Sequence, residues 1–294
     1  MAYNDVLKNL EPEKEFFVGI DSDGCAFPTM ELKHKECFIP NIVKYYGLQS
    51  ISKYAREAAE FVNLYSKWRG INRFPALIMV MELLAERPEV QRSGVSLPDL
   101  TDLQQWVDSG VALGNPALKA EVEKTGNPVL KKALEWSEAV NRSVDWMVEG
   151  CNPFAFVRES LEKISLKADI VVVSATPGAA LEKEWAEHDI ARYTRAIAGQ
   201  EMGSKKEHIA LAAVGKYPGD KILMIGDAPG DMKAARANSA LFFPVNPGAE
   251  EKSWEFLYNE AFDRFVSNDY AGALEAELIR KFRTLLPDTP PWKR

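Results

Sequence analysis

The sequence predicts an α/β protein that combines a parallel sheet with an inserted helical domain. Four short apolar runs, rich in β-branched or aromatic residues, indicate buried strands at Phe16–Ile20, Ile170–Val173, Ile222–Ile225 and Ala240–Val245. Continuous apolar runs are typical of parallel strands that are covered on both faces. Helical patterns separate the last three runs, and this alternation of strand and helix predicts a parallel sheet.

The elements between and around these runs complete the prediction. Helices are predicted at Pro177–Asp189, Ser204–Lys216 and Pro229–Ala237, and a fifth, weaker strand is predicted at Tyr193–Ala198. The segment between the first and second apolar runs is far too long for one crossover, so it predicts an inserted domain. We predict a core formed by residues 1–28 and 168–294 and an insert formed by residues 29–167.

The insert has an almost wholly helical pattern. Apolar residues recur at helical spacing in Ile51–Trp68. Asn-Pro pairs that begin at Asn115, Asn127 and Asn152 predict three helix starts, because Asn is a favourable N-cap and Pro fits the first helical turn. After the last strand, Ser253–Leu285 is predicted to be helical, and the remaining residues are predicted to be loose.

The composition limits the classes of function. Of the 294 residues, 46% are hydrophobic, which is enough for a sizeable core. The formal net charge of −7 argues against a broad nucleic-acid surface, and the scattered cysteines and histidines, three of each, argue against a disulfide framework or a zinc site. No apolar run approaches the ~20 residues that span a bilayer. We therefore expect a cytoplasmic protein, monomeric or homodimeric, without nucleic-acid or membrane partners.

Two carboxylates follow the first predicted strand. Asp21 and Asp23 stand at its carboxyl end, where open α/β sheets bind ligands. One carboxylate can attack phosphorus and form an aspartyl-phosphate, and the other can transfer protons to the leaving oxygen and from water. Gly24 allows the backbone to turn sharply beside a bound group. The same pattern also occurs in plain turns and in calcium loops, but here Cys25 stands in the place of the next calcium ligand.

Polar residues also follow the second predicted strand and precede a predicted helix. The hydroxyl of Ser174 and the backbone N–H of Ala175 could hold a phosphoryl oxygen, or Ser174 could cap the next helix. Lys205 or Lys206, if buried, would neutralise the charge of a phosphoryl group and of carboxylates; the alternative is a pair of solvated surface lysines.

A second carboxylate pair, Asp227 and Asp231, follows the strand predicted at Ile222–Ile225. Mg²⁺ prefers hard oxygen ligands, and one or two carboxylates with a substrate phosphate suffice to bind it. The alternative is a turn with a capped helix. Parallel strands would bring both carboxylate pairs, the hydroxyl and the lysine to one edge of the sheet, and this combination favours a catalytic site.

The chain resembles the phosphatase branch of the haloacid dehalogenase superfamily. The segments that match the four motifs of that superfamily are Asp21–Gly24, Ser174, Lys205 or Lys206, and Gly226–Asp231. The resemblance implies a Rossmann-like core, a helical cap at the place of the insert, and a Mg²⁺ site. It covers the first strand and the region from Ala168 to about Val245.

The resemblance also implies a role for each matched residue. Asp21 would be the nucleophile and a metal ligand, and Asp23 would be the general acid and base, with its main-chain carbonyl on the metal. Ser174 and the motif lysine would hold the phosphoryl group. Asp227 would bind the metal, and Asp231 would either bind it or orient another ligand.

The third and first motifs depart from the common pattern. The lysine motif lacks the frequent Lys-Pro pair, and we favour Lys205 over Lys206 because it precedes Ile209, the first inward position of the next helix, by four residues. In the first motif, Pro28 replaces a common Asp or Asn, while Thr29 fits.

The cap implied by the resemblance would supply substrate specificity. Arg69 and Arg73, in a predicted inter-helix loop, could grip an anionic group of a small phosphorylated metabolite, although cations at a helix end are the alternative explanation. The predicted function is a Mg²⁺-dependent phosphatase. A phosphomutase with the same catalytic residues and a phospho-ligand binding protein without catalysis remain the alternatives.

Overall fold

The computed structural model describes residues 3–293 and contains a five-stranded sheet. The strands are β1 (Phe16–Ile20), β2 (Ala168–Val173), β3 (Ala196–Ala198), β4 (Ile222–Gly226) and β5 (Leu241–Pro244). Neighbouring strands are parallel and follow the order β3-β2-β1-β4-β5. The predicted Rossmann-like parallel core is confirmed, and each predicted strand overlaps an observed one. Residues 1, 2 and 294, which the predicted core includes, lie outside the described residues.

Helices account for most of the remaining described chain. The α-helices are α1 (Tyr3–Lys8), α2 (Thr29–Leu32), α3 (Ile39–Tyr45), α4 (Ser52–Asn63), α5 (Arg73–Ala85), α6 (Pro88–Ser93), α7 (Thr101–Asp108), α8 (Asn115–Thr125), α9 (Pro128–Met147), α10 (Val157–Ser165), α11 (Gly178–Glu187), α12 (Lys205–Ala212), α13 (Pro229–Ala237), α14 (Glu250–Phe256), α15 (Phe262–Val266) and α16 (Ala273–Leu285). Segments of π-helix occur at Lys33–Phe38 and Leu257–Ala261. Across residues 3–293 we find no helix with the length and apolar character that a membrane crossing requires.

The chain divides into two compact units. The core unit comprises Met1–Thr29 and Cys151–Leu285, and the helical unit comprises Met30–Gly150 and Leu286–Arg294. These boundaries differ from the predicted ones at residue 29, at 151–167 and at 286–294. Residues 151–167 lie in the core unit because α10 packs against β2 and buries Val157, Leu161 and Ile164 there.

Apolar side chains cover the sheet of the core unit. Val18 and Ile20 of β1 are buried in one cluster with Trp185 of α11 and Trp254 of α14. The helix α16 packs on β5, where the Glu275 carboxylate accepts a hydrogen bond from a backbone N–H of that edge strand at 2.8 Å. The helix α16 lies within the region 253–285 that was predicted to be helical. That region is not one continuous helix, because the chain leaves the helical conformation between α15 and α16.

The three predicted Asn-Pro helix starts have different outcomes. The Asn127 side chain accepts hydrogen bonds from two N–H groups in the first turn of α9, so this cap is confirmed. Asn115 is instead the first residue of α8 and does not cap it. The start at Asn152 is wrong: no helix begins there, the Phe154 N–H donates to the carbonyl of Ala26 at 3.0 Å, and α10 begins at Val157.

The C-terminal segment 286–293 is docked within the helical unit. The Pro287 carbonyl accepts a hydrogen bond from the Lys67 N–H at 3.2 Å. The Trp292 ring lies 5.8 Å from the Phe61 ring and 4.1 Å from the guanidinium of Arg87. The prediction of a loose C-terminal segment is therefore wrong for its described residues, because Trp292 finds aromatic and cationic partners.

Candidate active site

Asp21 directly follows β1 at the carboxyl edge of the sheet. Its backbone N–H donates to the Ile225 carbonyl at 3.0 Å, which extends the pairing of β1 with β4 by one residue. Asp21 is 4% exposed, and its Oδ1 accepts a hydrogen bond from the Ser22 N–H at 2.8 Å. Gly24 then adopts φ +78°, in the left-handed region that favours glycine. The backbone thus holds the Asp21 carboxylate at the start of a tight turn.

Three buried carboxylates converge at this edge. Asp227 follows β4, Asp231 lies in the first turn of α13, and oxygen atoms of both lie within 4.8 Å of each other and of an Asp21 oxygen. The Ala228 N–H fixes Asp231 by donating to its Oδ2 at 3.0 Å. Gly226 gives Asp231 the space it needs, since a Cβ at Gly226 would lie 2.4 Å from the Asp231 Cβ. Gly226 thus leaves room for Asp231, and Asp231 and Asp227 both reach the carboxylate cluster.

The electrostatics of the cluster suit a divalent cation. Burial raises the pKa of Asp21 well above its ordinary value; Lys205 opposes this, and the charges of Asp231 and Asp227 add to it. Three hard oxygen donors that repel one another in a buried site fit Mg²⁺, whose charge would offset that repulsion.

Lys205 lies between two of these carboxylates. Its ammonium group is 2.6 Å from Asp21 Oδ2 and 2.6 Å from Asp231 Oδ1. Burial by itself would lower the pKa of Lys205, but the two carboxylates raise it above its ordinary value, so the side chain stays protonated. Lys205 is the first residue of α12 and follows the N-cap Ser204, whereas Lys206 is exposed. The structure therefore brings Lys205, and not Lys206, to the carboxylates.

Two threonine hydroxyls hold the half-buried carboxylate of Asp23. Thr29 Oγ1 donates to Asp23 Oδ1 at 2.5 Å, and Thr176 Oγ1 donates to Asp23 Oδ2 at 2.7 Å. Both carboxylate oxygens accept a hydrogen bond, which fixes the orientation of the group. The converging carboxylates found in residues 3–293 are those of Asp21, Asp227 and Asp231. Asp23 could join a metal site through its main-chain carbonyl, as the sequence resemblance implies.

The end of β2 brings Ser174 and Ala175 to the same edge. Ile20 pairs with Val172, so the residues that follow β1 and β2 lie next to each other. Ser174 is 2% exposed, and its Oγ accepts a hydrogen bond from the Thr176 N–H at 3.2 Å. Because the oxygen accepts this bond, the hydroxyl can donate its hydrogen to a phosphoryl oxygen. Ala175, the next residue of this turn, is exposed.

The two predicted substrate-binding arginines lie in the helical unit. Arg69 follows α4 and is 3% exposed, and its Nη1 donates to the Leu64 carbonyl at 2.9 Å. Arg73 begins α5, and its Nη1 donates to Ser137 Oγ and Asn141 Oδ1, each at 2.8 Å. Burial lowers the pKa of Arg73 to about 10. Arg73 thus joins α5 to α9, which is a packing role, and substrate binding by either arginine stays a prediction.

Sequence reasoning missed the roles of Thr176 and Trp185. Thr176 stands two residues after Ser174, so the sequence places a second hydroxyl in the turn after the same strand. This hydroxyl could have been predicted to reach the site. Trp185 donates its indole N–H to Ser22 Oγ at 3.0 Å, across 163 positions of the chain. A contact of that separation leaves no local pattern in the sequence.

Comparisons with known proteins find similarity among solved structures. No protein-family model and no curated protein matches the chain. A Clostridium difficile protein assigned as a phosphatase is 20% identical, with a TM-score of 0.41 over 79% of this chain and 86% of that chain. A haloacid dehalogenase-like hydrolase from Streptococcus pneumoniae is 13% identical, with a TM-score of 0.44 over 91% and 98% of the two chains.

A third similar structure contains a metal ion. It is a Bacillus subtilis protein assigned to the same class of hydrolases and bound to magnesium, and it is 12% identical, with a TM-score of 0.41 over 78% of this chain and 86% of that chain.

Proposed function

We propose that this protein is a Mg²⁺-dependent phosphatase that hydrolyses a small phosphorylated metabolite through an aspartyl-phosphate on Asp21. The observation that supports the proposal is the buried Asp21 carboxylate, which is ion-paired with Lys205 and lies beside Asp227 and Asp231. A carboxylate nucleophile with further carboxylates at the carboxyl edge of a parallel sheet fits metal-assisted phosphoryl transfer.

The residues of this edge divide between metal and phosphoryl binding. Mg²⁺ would be held by the carboxylates of Asp21, Asp227 and Asp231 and by the main-chain carbonyl of Asp23. When bound, Mg²⁺ neutralises charge on the phosphoryl oxygens and on the carboxylates.

The phosphoryl oxygens would be held by neighbouring donors at the same edge. The donors are the Lys205 ammonium, the Ser174 hydroxyl and the backbone N–H of Ala175, whereas the Gly24 N–H donates to the Phe27 carbonyl at 2.8 Å and closes the turn. These groups are positioned before the substrate arrives, so they can stabilise the charge of the transition state without reorganisation.

Asp21 and Asp23 would share the chemistry of two half-reactions. In the first, an Asp21 oxygen attacks phosphorus, the bond from phosphorus to the leaving oxygen breaks, and the protonated Asp23 gives its proton to that oxygen. In the second, Asp23 takes a proton from water, the water oxygen attacks phosphorus, and the bond to Asp21 breaks. Inorganic phosphate leaves, and both side chains return to their initial states. Thr29 and Thr176 keep the Asp23 carboxylate oriented in both steps.

The test is phosphate release from a panel of phosphorylated metabolites, measured with Mg²⁺ and with EDTA. Asp21→Asn removes the nucleophile and keeps the shape of the side chain, and Asp220→Asn, at an exposed position, is the matched control. We expect release by the wild type and the control with Mg²⁺, and none by Asp21→Asn. Equal activity of Asp21→Asn and the wild type would refute the proposal, and phosphoryl return to the substrate without phosphate release would indicate a phosphomutase.

A further inference from the structure

Ser22 lies between the two proposed catalytic carboxylates and is completely buried. Its N–H donates to Asp21 Oδ1 at 2.8 Å, and its carbonyl accepts the N–H of Ala26 at 2.9 Å and the N–H of Phe27 at 3.1 Å. One residue thus bonds the nucleophile with its N–H and closes the following turn with its carbonyl. A displacement of Ser22 would therefore displace the Asp21 carboxylate.

The Ser22 side chain is held by two neighbouring residues of α11. The Trp185 indole N–H donates to Ser22 Oγ at 3.0 Å, and Ser22 Oγ donates to Glu184 Oε2 at 3.1 Å. Trp185 is 0% exposed, and its ring packs edge-on against Phe27 at 6.0 Å. The hydroxyl therefore has one fixed donor and one fixed acceptor, which determine the position of Ser22.

The helix α11 also begins at the carboxyl edge of the sheet, beside the proposed site. It starts at Gly178, two residues after Thr176, which itself bonds Asp23. The first turn of α11 thus follows Thr176, which contacts Asp23. The last turns of the helix contact Ser22, which is adjacent to Asp21. The helix can therefore set the spacing between these two parts of the site.

We propose that Trp185 and Glu184 are positioning residues, which act through Ser22 to hold the Asp21 carboxylate in line with the phosphorus atom. The inference rests on the proposed function, because it concerns the geometry of attack. Small misplacements of a reacting group lower rates by as much as about 100-fold, whereas substrate binding by the other donors is retained. The effect should therefore fall on kcat and not on KM.

The variants separate positioning from stability. Ser22→Ala removes the shared oxygen and leaves the Trp185 N–H buried without an acceptor, which destabilises the fold. Adding Trp185→Phe removes that N–H, so the loss of thermal stability in the double variant should be smaller than the sum of the losses in the two single variants. Positioning is not recovered, because the link from α11 to Ser22 is absent in both variants. Glu184→Gln keeps an acceptor oxygen, Glu184→Ala does not, and Glu187→Ala is a matched control at an exposed position of the same helix.

The experiment measures kcat and KM for p-nitrophenyl phosphate with Mg²⁺, together with the Tm of every variant. We expect kcat to fall about 10-fold in Ser22→Ala, Trp185→Phe and Glu184→Ala, with KM within about twofold. We expect Glu184→Gln and Glu187→Ala to keep most of the wild-type kcat. The double variant should have the kcat of Ser22→Ala and a fall in Tm that is smaller than the sum of the falls in Ser22→Ala and Trp185→Phe.

The possible results distinguish this inference from the proposed function. A kcat of the double variant that exceeds that of Ser22→Ala, or a kcat that is unchanged in all single variants, would overturn the positioning role and leave the proposed function standing. Absence of turnover by the wild type on this substrate and on the metabolite panel would overturn the proposed function and the inference with it.

Discussion

Replacing Lys205 with Met removes a positive charge that lies between buried carboxylates. The Lys205 ammonium is 2.6 Å from an oxygen of Asp21 and 2.6 Å from an oxygen of Asp231. Met keeps much of the length of the side chain, so the change is mainly electrostatic. In the absence of bound metal, the carboxylates of the variant lie close together with no positive charge of Lys205 to offset their repulsion.

The magnitude follows from the burial of the three groups. The Lys205 side chain is 19% exposed, that of Asp21 6% and that of Asp231 0%, so water can replace little of the lost interaction. Removing one partner of a buried ion pair costs about 3–5 kcal/mol. Taking about 3 kcal/mol, the Tm should fall by roughly 6–12 °C for a unit of this size. In the proposed function Mg²⁺ binds the folded carboxylate cluster, so it should restore part of the loss.

The assay is thermal unfolding in EDTA, followed by circular dichroism, and then with Mg²⁺. Lys206→Met is the matched control, since Lys206 is adjacent and exposed, and we expect its effect on unfolding to stay within about 0.5 kcal/mol. The kcat of Lys205→Met should fall by at least about 100-fold. Equal Tm values for the two variants in EDTA would refute the compensating role of Lys205.

Three further predictions concern other parts of the molecule. Thr176→Val removes a hydroxyl bond to Asp23 and should lower kcat by about 10- to 100-fold, whereas Thr176→Ser should retain activity. Burial, with a smaller effect of Lys205, lowers the pKa of His208 to about 4, so the unfolded chain gains a proton below pH 6.5 and the folded chain does not. The contribution of His208 to the free energy of unfolding should fall by about 2 kcal/mol between pH 7.5 and pH 5. Urea unfolding should show this pH dependence in the wild type and not in His208→Leu. Trp292→Ala should destabilise the helical unit by about 2 kcal/mol and speed amide hydrogen exchange in α4, because the contacts of Trp292 with Phe61 and Arg87 are lost. Trp292→Phe should have an intermediate effect. Unchanged hydrogen exchange in α4 would contradict the docking of the C-terminal segment.

Local sequence patterns were sufficient to predict the sheet. The strands β1 and β4 are continuous apolar runs, and only burial on both faces satisfies such runs. The positions of Asp21 and Asp227 immediately after these strands followed from the same pattern, because a strand's direction determines which residues leave its carboxyl end. Asn127 was predictable as a cap since its partners are its own neighbours in the chain.

Other features depended on residues that are distant in the sequence. Lys205 and Lys206 are chemically identical and adjacent; the spacing to Ile209 favoured Lys205, and the approach of α12 to the strand ends brings that lysine to the carboxylates. Asn152 carries the same Asn-Pro pattern as Asn127, yet the Phe154 N–H donates to the Ala26 carbonyl in the loop after β1, and no helix begins at Asn152.

The sequence by itself therefore determined the parallel sheet, the place of the helical insert and the carboxylates that end the strands. Each of these depends on local apolar patterns or on the direction of a single strand. Only the tertiary structure decided that Thr176 binds Asp23, that Trp185 binds Ser22 and that the C-terminal segment packs in the helical unit. The physical reason is that a hydrogen bond or ring contact between distant residues depends on how helices pack on the sheet, and that packing has no periodic signal in the chain.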